Sequence, residues 1–237
     1  MLGFVSEAPA AAERSWAQPQ INAVVAAGLL ADDAASFAPD KPLTQRALAG
    51  ALDLLALDPE HGAPRSSYRA VVPSRSVTIR ELDAALVGFL GLGGSARAIT
   101  AQLRTASVEP RAGAGTETVA RLLGLRFNHP AARDELELGL NDPATRAEAA
   151  YSLARLLELS SWDIERVRSQ AETFLLPELT DWQRSVLRRA VSFVGSPYIW
   201  GGTSELPQRP LGKPTPGGFD CSTMVPVFGA AAPAPVM

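Results

Sequence analysis

The stretch Asn141-Asp142-Pro143-Ala144-Thr145-Arg146-Ala147-Glu148 opens a run in which Ala149, Leu153 and Leu156 recur at helical spacing. Thr145 is a competent N-cap, because its hydroxyl accepts a hydrogen bond from a first-turn amide that lacks a partner within the helix. Glu148, three residues on, completes a capping-box signature. The arrangement recurs twice upstream. Leu43-Thr44-Gln45-Arg46 is followed by Leu48, Leu52 and Leu55, and Val77-Thr78-Ile79-Arg80 by Leu82, Leu86 and Phe89. Counted from each Thr, the apolar positions fall at +4, +8 and +11, one face of an α-helix. Three such matches point to an internal repeat of helical units.

The residues before each Thr extend the pattern. Trp16, Ile21, Val24 and Val25 predict a helix that Gly28 stops, and Phe37-Ala38-Pro39-Asp40-Lys41-Pro42 forms a loop into Thr44. Val119, Leu122 and Leu123 make a second such stripe, ended by Gly124, and the longer interval to Thr145 places an insertion around Arg126–Leu140. This helix, Gly turn, F-x-P-D loop and Thr-capped helix resembles the S-layer homology (SLH) module. The resemblance covers residues 12–158 and implies three repeats packed as a helical bundle that binds a secondary cell-wall polysaccharide. By the same resemblance, Arg146 matches the ligand-binding Arg of the module's T-R-A-E helix start. Arg46 and Arg80 sit one position later than that Arg, about 100° further round the helix. The plain alternative for all three is a solvated first-turn side chain.

Composition agrees with a helical core. Of the 237 residues 46% are hydrophobic and 20% charged, which excludes a mostly disordered chain. Aromatic residues reach only 6%, so the core must rest on Ala, Leu and Val, as close-packed helices allow. A net charge of −3 with scattered Lys and Arg argues against nucleic-acid binding through a basic patch. No apolar run approaches the ~18–20 residues of a membrane span. Met1–Val5 offers neither a basic n-region nor an adequate apolar run, so no secretory signal is readable.

Residues 159–180 read as a connector. Ser161 or Asp163 caps a helix over 161–176, with Ile164, Val167, Ala171 and Leu175 on one face and Pro177 ending it. Thr180 or Asp181 caps the next, with Trp182, Val186, Leu187, Ala190 and Val194 on one side. From Gly195 to Gly218 the chain is too rich in Gly and Pro for regular helix.

Cys221 is the only cysteine, which excludes an internal disulfide and a multi-cysteine zinc site. Ahead of it stand two ordered blocks, Gly195-Ser196-Pro197-Tyr198-Ile199-Trp200-Gly201-Gly202-Thr203 and Gly217-Gly218-Phe219-Asp220-Cys221-Ser222. A cysteine at a helix N-terminus faces free amides and the positive end of the dipole, which favour the nucleophilic thiolate. Gly217 and Gly218 let the backbone turn sharply beforehand.

Together the blocks resemble the opening of the NlpC/P60 family of papain-like cysteine peptidases. The resemblance spans residues 181–237 and implies the start of an α+β domain. It also implies Cys221 as nucleophile, Asp220 and Ser222 shaping the substrate pocket, and Tyr198 lining the oxyanion pocket. The implied reaction is acyl transfer on peptidoglycan peptide stems, with neither metal nor organic cofactor. Trp200 and Phe219 are expected in the core.

A cysteine peptidase also needs a general base. Sixteen residues follow Cys221 and none is His, while His61 and His129 match nothing in the motif and receive no catalytic role. Pro226 interrupts the helix after Cys221, and Gly229–Pro235 is low-complexity sequence. The papain-like segment therefore reads as truncated, with little or no peptidase activity expected. Three readings stand: a cell-wall hydrolase by descent, a non-catalytic wall-polymer-binding module, or a helical interaction domain. The resemblances imply an extracellular or cell-wall location.

Overall fold

Thr44, Thr78 and Thr145 each stand directly before a helix in the computed structural model, which describes residues 15–57 and 75–223. The start of the chain, His61, Pro226 and the low-complexity tail lie outside the described residues. The helices are α1 (Gln18–Ala26), α2 (Gln45–Leu57), α3 (Ile79–Phe89), α4 (Gly93–Thr105), α5 (Ala114–Leu122), α6 (Arg146–Glu158), α7 (Ser161–Thr173) and α8 (Asp181–Ser192). Two short strands, β1 (Thr203–Ser204) and β2 (Gly218–Phe219), pair antiparallel with Thr203 opposite Phe219. The molecule is thus mainly helical, with one small sheet among the described residues.

The three Thr hydroxyls accept hydrogen bonds from Ala47 N at 3.2 Å, Glu81 N at 3.3 Å and Glu148 N at 3.2 Å. The full reciprocal box forms at Thr78, where Glu81 Oε2 accepts from Thr78 N at 2.9 Å. At Thr145, where the sequence points to a box, only half of it forms. Glu148 instead lies 3.1 Å from His129 Nε2, because that imidazole is buried and needs a partner.

What joins the three helix starts is a closed cycle of backbone hydrogen bonds. Leu43 N–H donates to Ala144 O (2.8 Å), Ala144 N–H to Val77 O (2.8 Å), and Val77 N–H to Leu43 O (2.9 Å). A second cycle surrounds it: Gln45 N–H donates to Arg75 O (3.0 Å), Ile79 N–H to Asp142 O (3.0 Å) and Arg146 N–H to Lys41 O (2.9 Å). First-turn amides have no acceptor inside their own helix. Here each start supplies the acceptor for another. Leu43, Val77 and Ala144 are at most 1% exposed, so these bonds are shielded from water.

The apolar stripe counted from each Thr faces inward. Leu48, Leu52, Leu55, Leu82, Leu86, Ala149, Leu153 and Leu156 are all buried, and Phe89 is partly so. Around them α6 packs on α1, α3 on α5, and α4 on both α5 and α7. The crossing of α4 and α5 is close: a Cβ on Gly115 would lie 2.0 Å from Ala96 O. Small residues do the work that aromatics do elsewhere.

The connector differs from its sequence reading. Ser160, not Ser161 or Asp163, caps α7, in a box with Asp163. The helix ends at Thr173, four residues before Pro177, which leaves Leu175 outside it and 73% exposed. Val167 and Ala171 are buried in the same core as the Thr-led helices, so α7 is part of that body. On α8, Thr180 and Gln183 form the cap, but only Val191 is fully buried and Trp182 points outward. No single helix among the described residues is long and apolar enough to cross a membrane.

Candidate functional site

After α8 the chain turns at Gly195, whose φ is +88° and whose missing side chain makes room for Leu140. Ile199 then buries completely, and Ile199 N–H donates to Phe219 O (3.1 Å). Gly201, with φ +71°, reverses the chain into β1. Farther on, Gly217 passes so close to Glu205 that a Cβ would meet Glu205 O at 1.8 Å. These two turns bring Tyr198 and Cys221 together: the sulfur lies 3.9 Å from the phenol oxygen.

Asp220 builds the turn that carries the cysteine. Its Oδ1 accepts from Thr223 N (2.8 Å), Ser222 Oγ (2.8 Å) and Thr223 Oγ1 (2.9 Å), and its Oδ2 accepts from Gly201 N (3.0 Å). Cys221 is therefore the first residue after an N-capping carboxylate, followed by a helical turn over 221–223. Hydrogen bonds from Ser222 and Thr223 hold the Asp220 carboxyl down at about 2. Asp220 thus acts first on the backbone of its own turn, and Ser222 points its hydroxyl into that cap. The Tyr198 hydroxyl is pushed up from its ordinary value by its hydrogen bond with Cys221, then by burial and the nearby charges of Cys221, Asp220 and Asp134.

Phe219 is buried, as its sequence context suggests, with its ring centroid 4.6 Å from that of Phe193 and the two planes tilted by 60°. Trp200 is not: it is 55% exposed. Its amide, not its ring, is the anchored part, donating to Asp134 Oδ2 at 2.7 Å. Asp134 belongs to a 3-10 turn (Ala131–Leu136) in the insertion placed by sequence at Arg126–Leu140. The insertion thus docks the cysteine segment, through Leu140 at Gly195 and Asp134 at Trp200. On another side Arg111 pairs with Glu205 at 3.0 Å.

A cleft of about 260 Å³ opens beside Cys221. Tyr198, Asp220 and Phe219 line it from the cysteine segment, Arg121 from α5 and Asn128 from the start of the insertion. The sequence reading passed over Arg121 and Asn128, since each is a single polar residue outside the repeating pattern. Arg121 Nε donates to Glu117 Oε1 (2.7 Å) and its Nη1 to Asn128 Oδ1 (2.9 Å). Among the described residues no histidine lines the cleft. His129 is buried beside Glu148, edge-on to Trp16 and Phe127. No group of three His, Cys, Asp or Glu side chains among the described residues has the geometry to hold a metal ion.

Behind the cleft lies a buried charge cluster. Asp83, Glu117 and Arg126 are at most 8% exposed, and Arg126 Nη1 stands 3.7 Å from Asp83 Oδ2. Burial pushes the Asp83 carboxyl up to about 8, against the pull of Arg126. Burial also raises Glu117, but its contact with Asp83 and the charges of Arg121 and Arg126 outweigh this and leave it lowered. With both ionised, Asp83 and Glu117 Oε2 would lack donors. A proton on Asp83 supplies one.

The arginines singled out for polymer binding do not share one environment. Arg146 donates from Nε to Phe37 O (2.6 Å) and from Nη2 to Leu30 O (2.8 Å), with its guanidinium 4.7 Å over the Phe37 ring. Arg80 donates to Ala112 O and, at 3.3 Å, to Asn141 Oδ1. Arg46 is exposed on the first turn of α2. Two of the three are thus fastened to loop carbonyls of the fold itself.

Comparison with known proteins returns no matching family profile, no similar curated protein and no similar solved structure.

Proposed function

We propose that the chain is a cell-wall hydrolase of the NlpC/P60 cysteine-peptidase type, attacking peptide stems of peptidoglycan through the Cys221 thiolate. The observation that carries the reading is the exposed Cys221 on the Asp220-capped turn, beside Tyr198 and at the edge of a cleft. In the reaction the sulfur attacks the stem's carbonyl carbon and the C–N bond breaks. The amine leaves with a proton, and water then cleaves the thioester, returning the thiolate and a carboxylate. In this reading Tyr198 donates a hydrogen bond to the oxygen of the attacked carbonyl, a role that its hydroxyl, 3.9 Å from the sulfur, supports. Among the described residues no histidine lines the cleft, and Asp220, its carboxyl held at about 2 by Ser222 and Thr223, is too weak a base for the thiol. Turnover by this chain is therefore expected to be negligible while acylation by an activated ester proceeds. The site of action is the wall, outside the membrane.

Intact-mass measurement after incubation with a peptide-stem p-nitrophenyl ester tests this. One acyl adduct is expected, lost in Cys221→Ala; absence of an adduct on the folded wild type sinks the reading. Cys221-dependent hydrolysis of an unactivated stem would overturn the expectation of negligible turnover.

A second reading, a non-catalytic module of SLH type that anchors to a secondary wall polysaccharide, rests on the three helix starts meeting in one cycle. It makes 12–158 the binding domain and 181–237 dispensable. Sedimentation with wall sacculi after deletion of 181–237 separates the two: a binder still sediments. Because Arg146 and Arg80 are engaged within the fold, Arg46 is the most available of the three for such a polymer.

A further inference from the structure

The loop that carries Tyr198 is held by its backbone amides. Ile199 N–H donates to Phe219 O (3.1 Å), Gly201 N–H to Asp220 Oδ2 (3.0 Å) and Gly202 N–H to Ile199 O (2.9 Å), all within the cysteine segment. The amide among them at Trp200 is answered from outside, by Asp134 Oδ2 of the insertion at 2.7 Å. The 3-10 turn around Asp134 closes through backbone bonds, from Arg133 N–H to Pro130 O and from Glu137 N–H to Asp134 O, without that carboxylate. Asp134 is 5% exposed, and its Oδ1 has no hydrogen-bond partner among the described residues. Burying an unanswered carboxylate oxygen is costly, and the turn itself gains nothing from it. What the carboxylate secures is an amide two residues from the phenol that faces the Cys221 sulfur. The Tyr198 hydroxyl, raised first by its hydrogen bond with Cys221, is raised further by the charge of Asp134, so the same side chain helps to keep the phenol a donor.

We propose that Asp134 is a positioning residue of the Cys221 site: by holding the Trp200 amide it keeps the Tyr198 hydroxyl against the sulfur. The proposal rests on the reading of Cys221 as nucleophile and Tyr198 as its hydrogen-bond donor. Asp134 does not line the cleft and acts through the loop. A segment of the helical repeat region thereby sets the geometry of the thiol that follows it.

Cys221 is the only cysteine, so alkylation by iodoacetamide reads this site alone. Tyr198→Phe removes the donor facing the sulfur and should slow alkylation about threefold at pH 7, since such a donor favours the reactive thiolate. Asp134→Ala should slow it about as much, and the double variant no further, because both changes break one contact. Asp134→Asn keeps an oxygen for the Trp200 amide and should restore the response to Tyr198→Phe. The Asn and Ala variants lose the same charge, so the difference between them is the hydrogen bond. Additive effects of Asp134→Ala and Tyr198→Phe, or equal rates in Asp134→Asn and Asp134→Ala, overturn the proposal.

The unmodified protein gives a second measurement that does not depend on how a variant folds. By NMR the Trp200 amide should exchange with solvent at least about tenfold more slowly than in the urea-unfolded chain. An unprotected Trp200 amide overturns the proposal. Failure of the ester to acylate Cys221, with these results intact, would instead overturn the enzymatic reading alone.

Discussion

The cycle around Leu43, Val77 and Ala144 and the turn around Cys221 are both organised by backbone amides, yet the amides find different partners. In the cycle every acceptor is a backbone carbonyl, and the residues are at most 1% exposed. At Cys221 side-chain carboxylates join the backbone carbonyls as acceptors: Asp220, beside the exposed cysteine, takes Thr223 and Gly201, and the buried Asp134 takes Trp200. Carbonyls buried among apolar side chains neither titrate nor feel salt. Carboxylates at a rim do both. The first arrangement specifies a fold; the second positions a reactive group with little investment in global stability.

The largest effect separating the two regions should come from the buried charge cluster of the helical body. The folded-state pKa of Asp83 stands above its unfolded value, so the folded chain keeps a proton that the unfolded chain gives up. Stability from this group is full below about pH 4 and is lost as pH rises through about 8, on the order of 1 kcal/mol per unit. Glu117, lowered, runs the opposite way, but its loss falls on the acid side of that window. Asp83→Asn keeps a neutral donor toward Glu117 beside Arg121 and Arg126. Urea melts from pH 5 to pH 8 should show a decline in the wild type and a flatter line in Asp83→Asn; parallel lines would show that Asp83 is already ionised.

Next in size is the contrast between two first-turn arginines. Arg146→Ala removes two charge-assisted bonds to loop carbonyls and a ring contact, and should cost about 2 kcal/mol by chemical denaturation. Arg46→Ala, on an exposed surface, should change stability by less than about 0.5 kcal/mol. Equal costs would mean that Arg146 is not the fastening that its geometry describes.

The smallest global effect belongs to the cysteine segment. Gly217→Ala places a Cβ against the Glu205 carbonyl, backbone that cannot swing aside. It should displace β1 and β2 and change the Cys221 alkylation rate severalfold, while shifting the main unfolding transition by less than about 1 kcal/mol. A large shift in that transition would dissolve the distinction between the two regions.

Local signals explain how much of this was legible beforehand. The Thr-led starts and their inward stripes are i to i+11 patterns, and the stops at Gly28 and Gly124 have the positive φ that such stops use. The Asp220 cap is local as well, although the sequence assigned Asp220 to the substrate pocket. What sequence did not show was who answers whom. The cycle joins residues about 34, 67 and 101 positions apart, as the numbers 43, 77 and 144 give, and no local pattern encodes that pairing. Glu148 matched a capping signature but answered His129 instead, a competition invisible without the fold. Residues 93–105 begin on Gly93-Gly94, poor helix formers, and yet α4 forms because Ala96, Ile99 and Leu103 are buried against its neighbours. Arg121 lines the cleft only because the insertion, which supplies Asn128, docks the cysteine segment beside α5.

The closed cycle has a consequence for how the helical body unfolds. In an open array of repeats the end units have one neighbour fewer, so they fray first and units can be added or lost with graded effect. Three starts that each satisfy another leave no end unit. Removing any one strips an acceptor from one neighbour and a donor from the other, and the separation of 43 from 144 means that closure must bring together positions about 100 residues apart. The helical body should therefore melt as a single unit, and deleting one Thr-led helix start should open the body rather than shorten it.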